Sequence, residues 1–124
     1  IDCDNFKPIN DTFGHATGDQ VLVELSDIMR HTARETDFIA RLGGDEFVIL
    51  LSDTTWQGAT TFAERLRRHV DDHDFCGRDH VGVTISVGVA VARGTDDVPA
   101  EYLLEEADRS LYKAKTSGRN RISA

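Results

Sequence analysis

Apolar residues recur at helical spacing from Gln20 onward, where Val21, Leu22, Leu25, Ile28 and Met29 mark one face and predict a helix to about Ala33. Phe62, Ala63, Leu66 and Val70 do the same over residues 56–71. A third helix follows Pro99, with Tyr102, Leu103, Ala107, Leu111 and Ala114 inward and Gly118 placed as its C-terminal cap. Between the helices the period changes. Residues 38–42 and 46–51 read as strands joined at Gly43-Gly44, a hairpin. "VGVTISVGVAVA", residues 81–92, alternates and is rich in β-branched residues, which predicts another strand, and "NRISA" closes as a short final one. Ile1 to Asp4 resembles the last residues of a strand. "NFKPINDTFGHATGD" is rich in turn formers, with helix-start signals at Thr17 to Asp19. The predicted order is strand end, helix, hairpin, helix, strand, helix, strand. That is an α+β sheet flanked by helices, close to a ferredoxin-like plan.

No repeat, low-complexity stretch or linker divides the 124 residues, which suit one domain with a single core. A strand that starts at its last residues contributes little to a sheet, so the extreme N-terminal part of the domain is expected upstream of Ile1. With 40% apolar and 29% charged residues the chain reads as a soluble globular protein, and no apolar run approaches a bilayer span. A net charge of −8 argues against nonspecific binding to nucleic acid or anionic lipid, yet leaves room for a phosphate ligand held by a local basic pair. Two cysteines, Cys3 and Cys76, are too few for a disulfide framework and suggest a reduced, cytoplasmic setting.

The candidate chemistry starts at the hairpin tip. Asp45 and Glu46 are adjacent like charges, which repel unless solvent or a cation relieves them. A solvated loop explains them simply; a metal site explains them more sharply. If the strand that contains Asp2 lies beside the hairpin, Asp2 and Asp45 converge, and hard carboxylate oxygens suit magnesium. Paired metals there would activate a hydroxyl and neutralise a leaving phosphate. Lys115 near the end of the third helix and Arg119 just past its cap either reach phosphate oxygens or complement the helix dipole. Asn10 and Asp19 carry the donors and acceptors that guanine needs, but equally suit a turn and a helix cap. His69 and His73 are spaced as a metal pair could be, although a solvated helix end is the simpler account.

Three stretches then converge on one family. "DCDNFKPINDTFGHATGD" is similar to the pattern D-x-D-x-F-K-x-x-N-D-x-x-G-H-x-x-G-D, "ARLGGDEF" to a signature hairpin, and "ADRSLYKAKTSGRN" to a C-terminal signature. In this order they resemble the GGDEF-domain diguanylate cyclases, which make cyclic di-GMP from two GTP molecules. The resemblance implies a palm-like nucleotidyl-cyclase fold with a mixed, largely antiparallel sheet. It implies that Asp2, the Cys3 backbone carbonyl, Asp45 and Glu46 form the site for two Mg2+ (or Mn2+) ions. Glu46 would act through metal or by assisting deprotonation of the attacking 3′-hydroxyl. Asn10 and Asp19 would read guanine, Lys115 and Arg119 would hold the triphosphate, and amides around Asn5 and Phe6 would cradle its end. Gly43 and Gly44 would let the turn approach the nucleotide.

Because each domain of this family binds one GTP, the resemblance implies a homodimer for catalysis. It also implies fusion to a sensory or regulatory domain within a larger bacterial protein, soluble or membrane-bound, with this domain in the cytoplasm. No nucleic-acid partner is expected. "RETD", Arg34 to Asp37, with five residues between Asp37 and Gly43, resembles the family's inhibitory product site, with Arg65 as a second arginine for cyclic di-GMP. A plain helix-end ion pair is the competing account. The alternative overall is a catalytically silent GGDEF domain that senses GTP or cyclic di-GMP; the intact hairpin motif favours the enzyme.

Overall fold

The computed structural model describes residues 1–77 and 80–124. Its elements are β1 (Asp2–Cys3), α1 (Phe6–Phe13), α2 (His15–Thr32), β2 (Phe38–Gly43), β3 (Glu46–Leu50), α3 (Trp56–Asp71), a short 3-10 turn (Phe75–Gly77), β4 (Ile85–Gly88), α4 (Ala100–Thr116) and β5 (Ile122–Ser123). The sheet runs β2-β3-β1-β4-β5. β4 and β5 are parallel and the other pairs antiparallel, so the expected mixed α+β sheet is present.

Alternation along the strands assigns the two faces of this sheet. Cys3, Phe47, Ile85 and Val87 point into one core with Val21, Leu22, Leu25 and Met29 of α2 and Ala63, Leu66 and Val70 of α3. Their neighbours Asp2, Glu46, Ser86 and Gly88 fall on the opposite face, where α4 packs. Gly88 makes that packing close, because a Cβ there would stand 2.0 Å from the Ala107 carbonyl oxygen and 2.4 Å from the Leu111 nitrogen. Among the described residues no helix is long and apolar enough to cross a membrane.

The N-terminal third differs most from expectation. Residues 6–13 are helical, not a turn-rich connection, and α2 starts at His15 instead of near Gln20. Pro8 is the third residue of α1, within the first turn, where its missing N–H would have no partner in any case. Phe6, Ile9 and Phe13 line the inner side, Ile9 buried, and that spacing was the available signal. Gly14, at φ +90°, turns the chain between the two helices with no intervening loop.

Two further departures are smaller. The strand expected over 81–92 is paired only at Ile85–Gly88, since β1 meets Ile85 and Ser86 and β5 meets Val87 and Gly88. Val81 and Val83 are buried without belonging to a ladder. Tyr102, expected inward, is exposed. At the end of α4 the cap residue is Ser117, and Gly118 at φ +119° is the position just past it. The Arg119 N–H then reaches back to the Ala114 carbonyl at 3.1 Å, a Schellman closure.

Candidate active site

Antiparallel pairing brings Asp2 to the hairpin tip. The Phe47 N–H donates to the Ile1 carbonyl at 2.9 Å and the Cys3 N–H to the Asp45 carbonyl at 3.2 Å. Asp2 and Glu46, directly opposite each other between those bonds, form a non-hydrogen-bonded pair, the closer of the two kinds at about 4.5 Å between Cα atoms. Like charges so placed are unfavourable without a counter-charge. Lys115 supplies one: its Nζ donates to Asp2 Oδ2 at 2.8 Å, in a pair whose carboxylate is only 11% exposed. Asp2 Oδ1 has no hydrogen-bond partner among the described residues.

Asp45 feels the same crowding. Partial burial, then the negative charge of Asp2, hold its carboxyl above the usual range. Burial, reinforced by Asp45, Asp4 and Asp2, pushes the Cys3 thiol up to about 12, so its sulfur stays protonated and unreactive at neutral pH. Hard oxygens on two electrostatically coupled carboxylates fit a divalent cation, which commonly takes one or two carboxylates and completes its shell with water and substrate phosphate. Among the described residues no group of three or more His, Cys, Asp or Glu side chains is gathered as a metal site.

The turn carrying Asp45 is held by a residue that the sequence did not single out. Arg41 donates from Nε to the Gly44 carbonyl at 2.8 Å, closing the tip from within the hairpin. Gly43 and Gly44 have φ of +147° and +53°, and nothing would meet a Cβ at either, so backbone conformation explains both glycines and open space surrounds them. Arg41 also lines an open pocket of about 430 Å3 with Asp19, Leu22, Val23, Ser26, Asp27 and Arg30.

Asn10 and Asp19 occupy helices, not the expected turn and cap. Asn10 lies in α1 and Asp19 in the first turns of α2, whose cap is Gly14. The Asn10 amide is pressed against α2 at Gly18, where a Cβ would stand 1.8 Å from its Oδ1, so Asn10 meets the residue before Asp19 across the helix pair. Arg119 follows α4 with its guanidinium exposed and without a partner among the described residues. Asn5, at φ 54°, precedes the first turn of α1.

Arg34, Asp37 and Arg65 form a separate constellation. All three line an open pocket of about 360 Å3 with Ser52, Thr54, Thr55, Gln57 and Phe62, and none of the acids above borders it. The Asp37 carboxylate accepts the Arg34 backbone N–H at 2.8 Å, so the turn is closed through the main chain and no Arg34–Asp37 ion pair occurs among the described residues. Arg65 donates to the Thr32 carbonyl at 3.3 Å and lies over the Phe62 ring. His69 and His73 turn to different partners, Thr32 and Glu24, which leaves no metal pair.

The mixed five-stranded sheet with its flanking helices is a palm-like α+β fold, and the comparisons give the family that shares it. The family model for "Diguanylate cyclase, GGDEF domain" matches residues 1–121, and the chain belongs to that family. It is 46% identical over 98% of its length to the response regulator PleD of Caulobacter vibrioides and 42% identical over 99% to diguanylate cyclase A of Treponema denticola. It spans 27% and 33% of those two relatives. The active GGEEF domain of a diguanylate cyclase from Vibrio cholerae superposes with a TM-score of 0.89 at 36% identity, covering 98% of this chain and 77% of that one. The GGDEF domain of DgcB from Caulobacter crescentus, solved with c-di-GMP, gives 0.87 at 33% identity, covering 99% and 73%.

Proposed function

We propose that this domain is a diguanylate cyclase, condensing two GTP molecules into cyclic di-GMP with release of two pyrophosphates. The observation that carries this reading is the pairing of Asp2 against Glu46, with Asp45 and Lys115 on the same sheet end. Mg2+ or Mn2+ held by Asp2 and Asp45, with the Cys3 carbonyl and Glu46 completing the site, would activate the 3′-hydroxyl and neutralise charge on the α-phosphate. Lys115 and Arg119 hold triphosphate oxygens, and the amides at Asn5 and Phe6 receive its end. Asn10 and Asp19 bind the guanine edge. Each domain holds one GTP, so catalysis needs two copies face to face, each 3′-hydroxyl attacking the other nucleotide's α-phosphorus.

The test is incubation of the dimerised protein with GTP and Mg2+, followed by chromatographic separation of nucleotides. Cyclic di-GMP is the expected product. Its absence would leave a GTP- or product-sensing module instead. The small share of the curated relatives that this chain spans supports its fusion to regulatory domains in a larger bacterial signalling protein.

Gly18→Ala tests the guanine assignment. The new methyl displaces the Asn10 amide, so the KM for GTP should rise about tenfold, the worth of one lost hydrogen bond to a charged or polar edge. The melting temperature should change little, because alanine's helix propensity offsets the crowding.

The Arg34–Asp37–Arg65 pocket is the proposed product-inhibition site. Arg34 offers a guanidinium with no partner among the described residues for a phosphate or a guanine edge, and Asp37 an acceptor for guanine. Calorimetry with cyclic di-GMP should show binding that Arg34→Ala weakens about a hundredfold. Unchanged affinity would reduce "RETD" to a turn closure.

A further inference from the structure

Asp4 takes no part in the chemistry above, yet its carboxylate is more deeply buried than that of Asp2, at 3% exposure. Its Oδ1 accepts the Ser86 hydroxyl at 2.7 Å, and its Oδ2 accepts both the Thr84 hydroxyl at 2.8 Å and the Asn120 backbone N–H at 2.9 Å. The first two donors belong to β4 and the residue before it. The third belongs to the turn that leaves α4 and carries Arg119.

That turn has an unusual backbone. Arg119 and Asn120 have φ of 61° and 44°, two consecutive left-handed residues of which neither is glycine. Side chains disfavour this conformation, asparagine less than arginine, so it persists only where its surroundings hold it. Asn120 is held on three sides. Its N–H goes to Asp4, its Oδ1 accepts Arg67 Nη1 at 2.8 Å, and its Nδ2 donates to Asp71 Oδ2 at 3.2 Å. Arg67 is itself fixed on α3 by Glu64, whose carboxyl its hydrogen bonds hold below the usual range.

We propose that Asp4 is a positioning residue for nucleotide binding. Through the Asn120 N–H it locks the left-handed turn that presents the Arg119 guanidinium to the triphosphate. The inference rests on the reading of Arg119 as a phosphate ligand. Asp4 acts here as a hydrogen-bond acceptor, not as a metal ligand: each of its oxygens is already engaged by hydroxyl or amide donors, and it has no ionic partner among the described residues. The two acids of "DCD" therefore divide the work. Asp2 faces Lys115 and the hairpin, while Asp4 anchors the turn beyond α4.

The test uses the full chain with Mg2+, titrated calorimetrically with the α,β-methylene analogue of GTP and separately with guanosine. Asp4→Ala should weaken the triphosphate analogue about tenfold while leaving guanosine within about threefold. Asp4→Asn should restore affinity, because its amide oxygen takes the Asn120 N–H and its NH2 donates to a hydroxyl that rotates to accept. If Asp4→Ala does not fold, Asn120→Pro removes the N–H and the left-handed φ from the turn side and should give the same selective loss. Unchanged triphosphate affinity in a folded variant, or equal weakening of both ligands, overturns the positioning role. A folded Asp4→Asn as weak as Asp4→Ala overturns the acceptor role. Wild-type protein that fails to bind the analogue, or binding that Arg119→Ala leaves intact, overturns the phosphate reading and this inference with it.

Discussion

Asp45→Ala is expected to lower cyclic di-GMP synthesis by at least about a thousandfold, as loss of a carboxylate that holds catalytic metal against a phosphate does. Chromatography of the GTP reaction measures it, and continued synthesis would refute the metal assignment. The same substitution should leave the melting temperature in metal-free buffer unchanged or higher. Burial and the Asp2 charge raise the Asp45 pKa in the folded state, so the fold disfavours its ionised form. Where the carboxylate is ionised it costs stability, and the cost fades as pH falls through the raised pKa. Removing the carboxyl removes the cost. Loss of activity together with loss of fold would instead make Asp45 a structural residue.

Gly88→Ala should act in the opposite sense, on stability. The added methyl meets the backbone of α4 at Ala107 and Leu111, and neither atom belongs to a flexible side chain that can swing away. Either α4 moves off the sheet or β4 shifts in its ladder. Overpacking of this kind costs about 3 kcal/mol or more. For a domain of this size that is a fall of roughly 10 °C or more in melting temperature, read by calorimetry or circular dichroism. Displacement of α4 would also carry Lys115 away from Asp2, so residual activity at low temperature should fall as well. A variant that melts with the wild type would show that α4 does not pack closely here.

Local chemistry made parts of the fold legible. The hairpin follows from two β-rich runs around Gly43-Gly44, and α3 matched its expected 56–71 span because apolar spacing and the Thr55 cap, which accepts the Gly58 N–H, agree. α1 was hidden because Asn, Asp, Pro and Gly suggest a loop, whereas Pro8 in a first turn costs nothing. The paired length of β4 was hidden because alternation marks residues that favour a strand, not where partners end.

By itself the sequence determined the family and the identity of the acids and bases, because these reside in residue types at fixed spacings. The repulsion between Asp45 and Glu46 could be read there, since adjacent charges need no fold to be neighbours. Which acid faces them was decided only in three dimensions. The pairing of β1 with β3 sets Asp2 opposite Glu46, and the closure of α4 brings Lys115 across 113 positions of sequence to neutralise it. Asp4, two residues from Asp2, was given a different task by the same packing, as its oxygens meet β4 and the Asn120 turn. Side chains of one type differ in function here because strand register and helix packing, set by cooperative burial of the core, choose their partners.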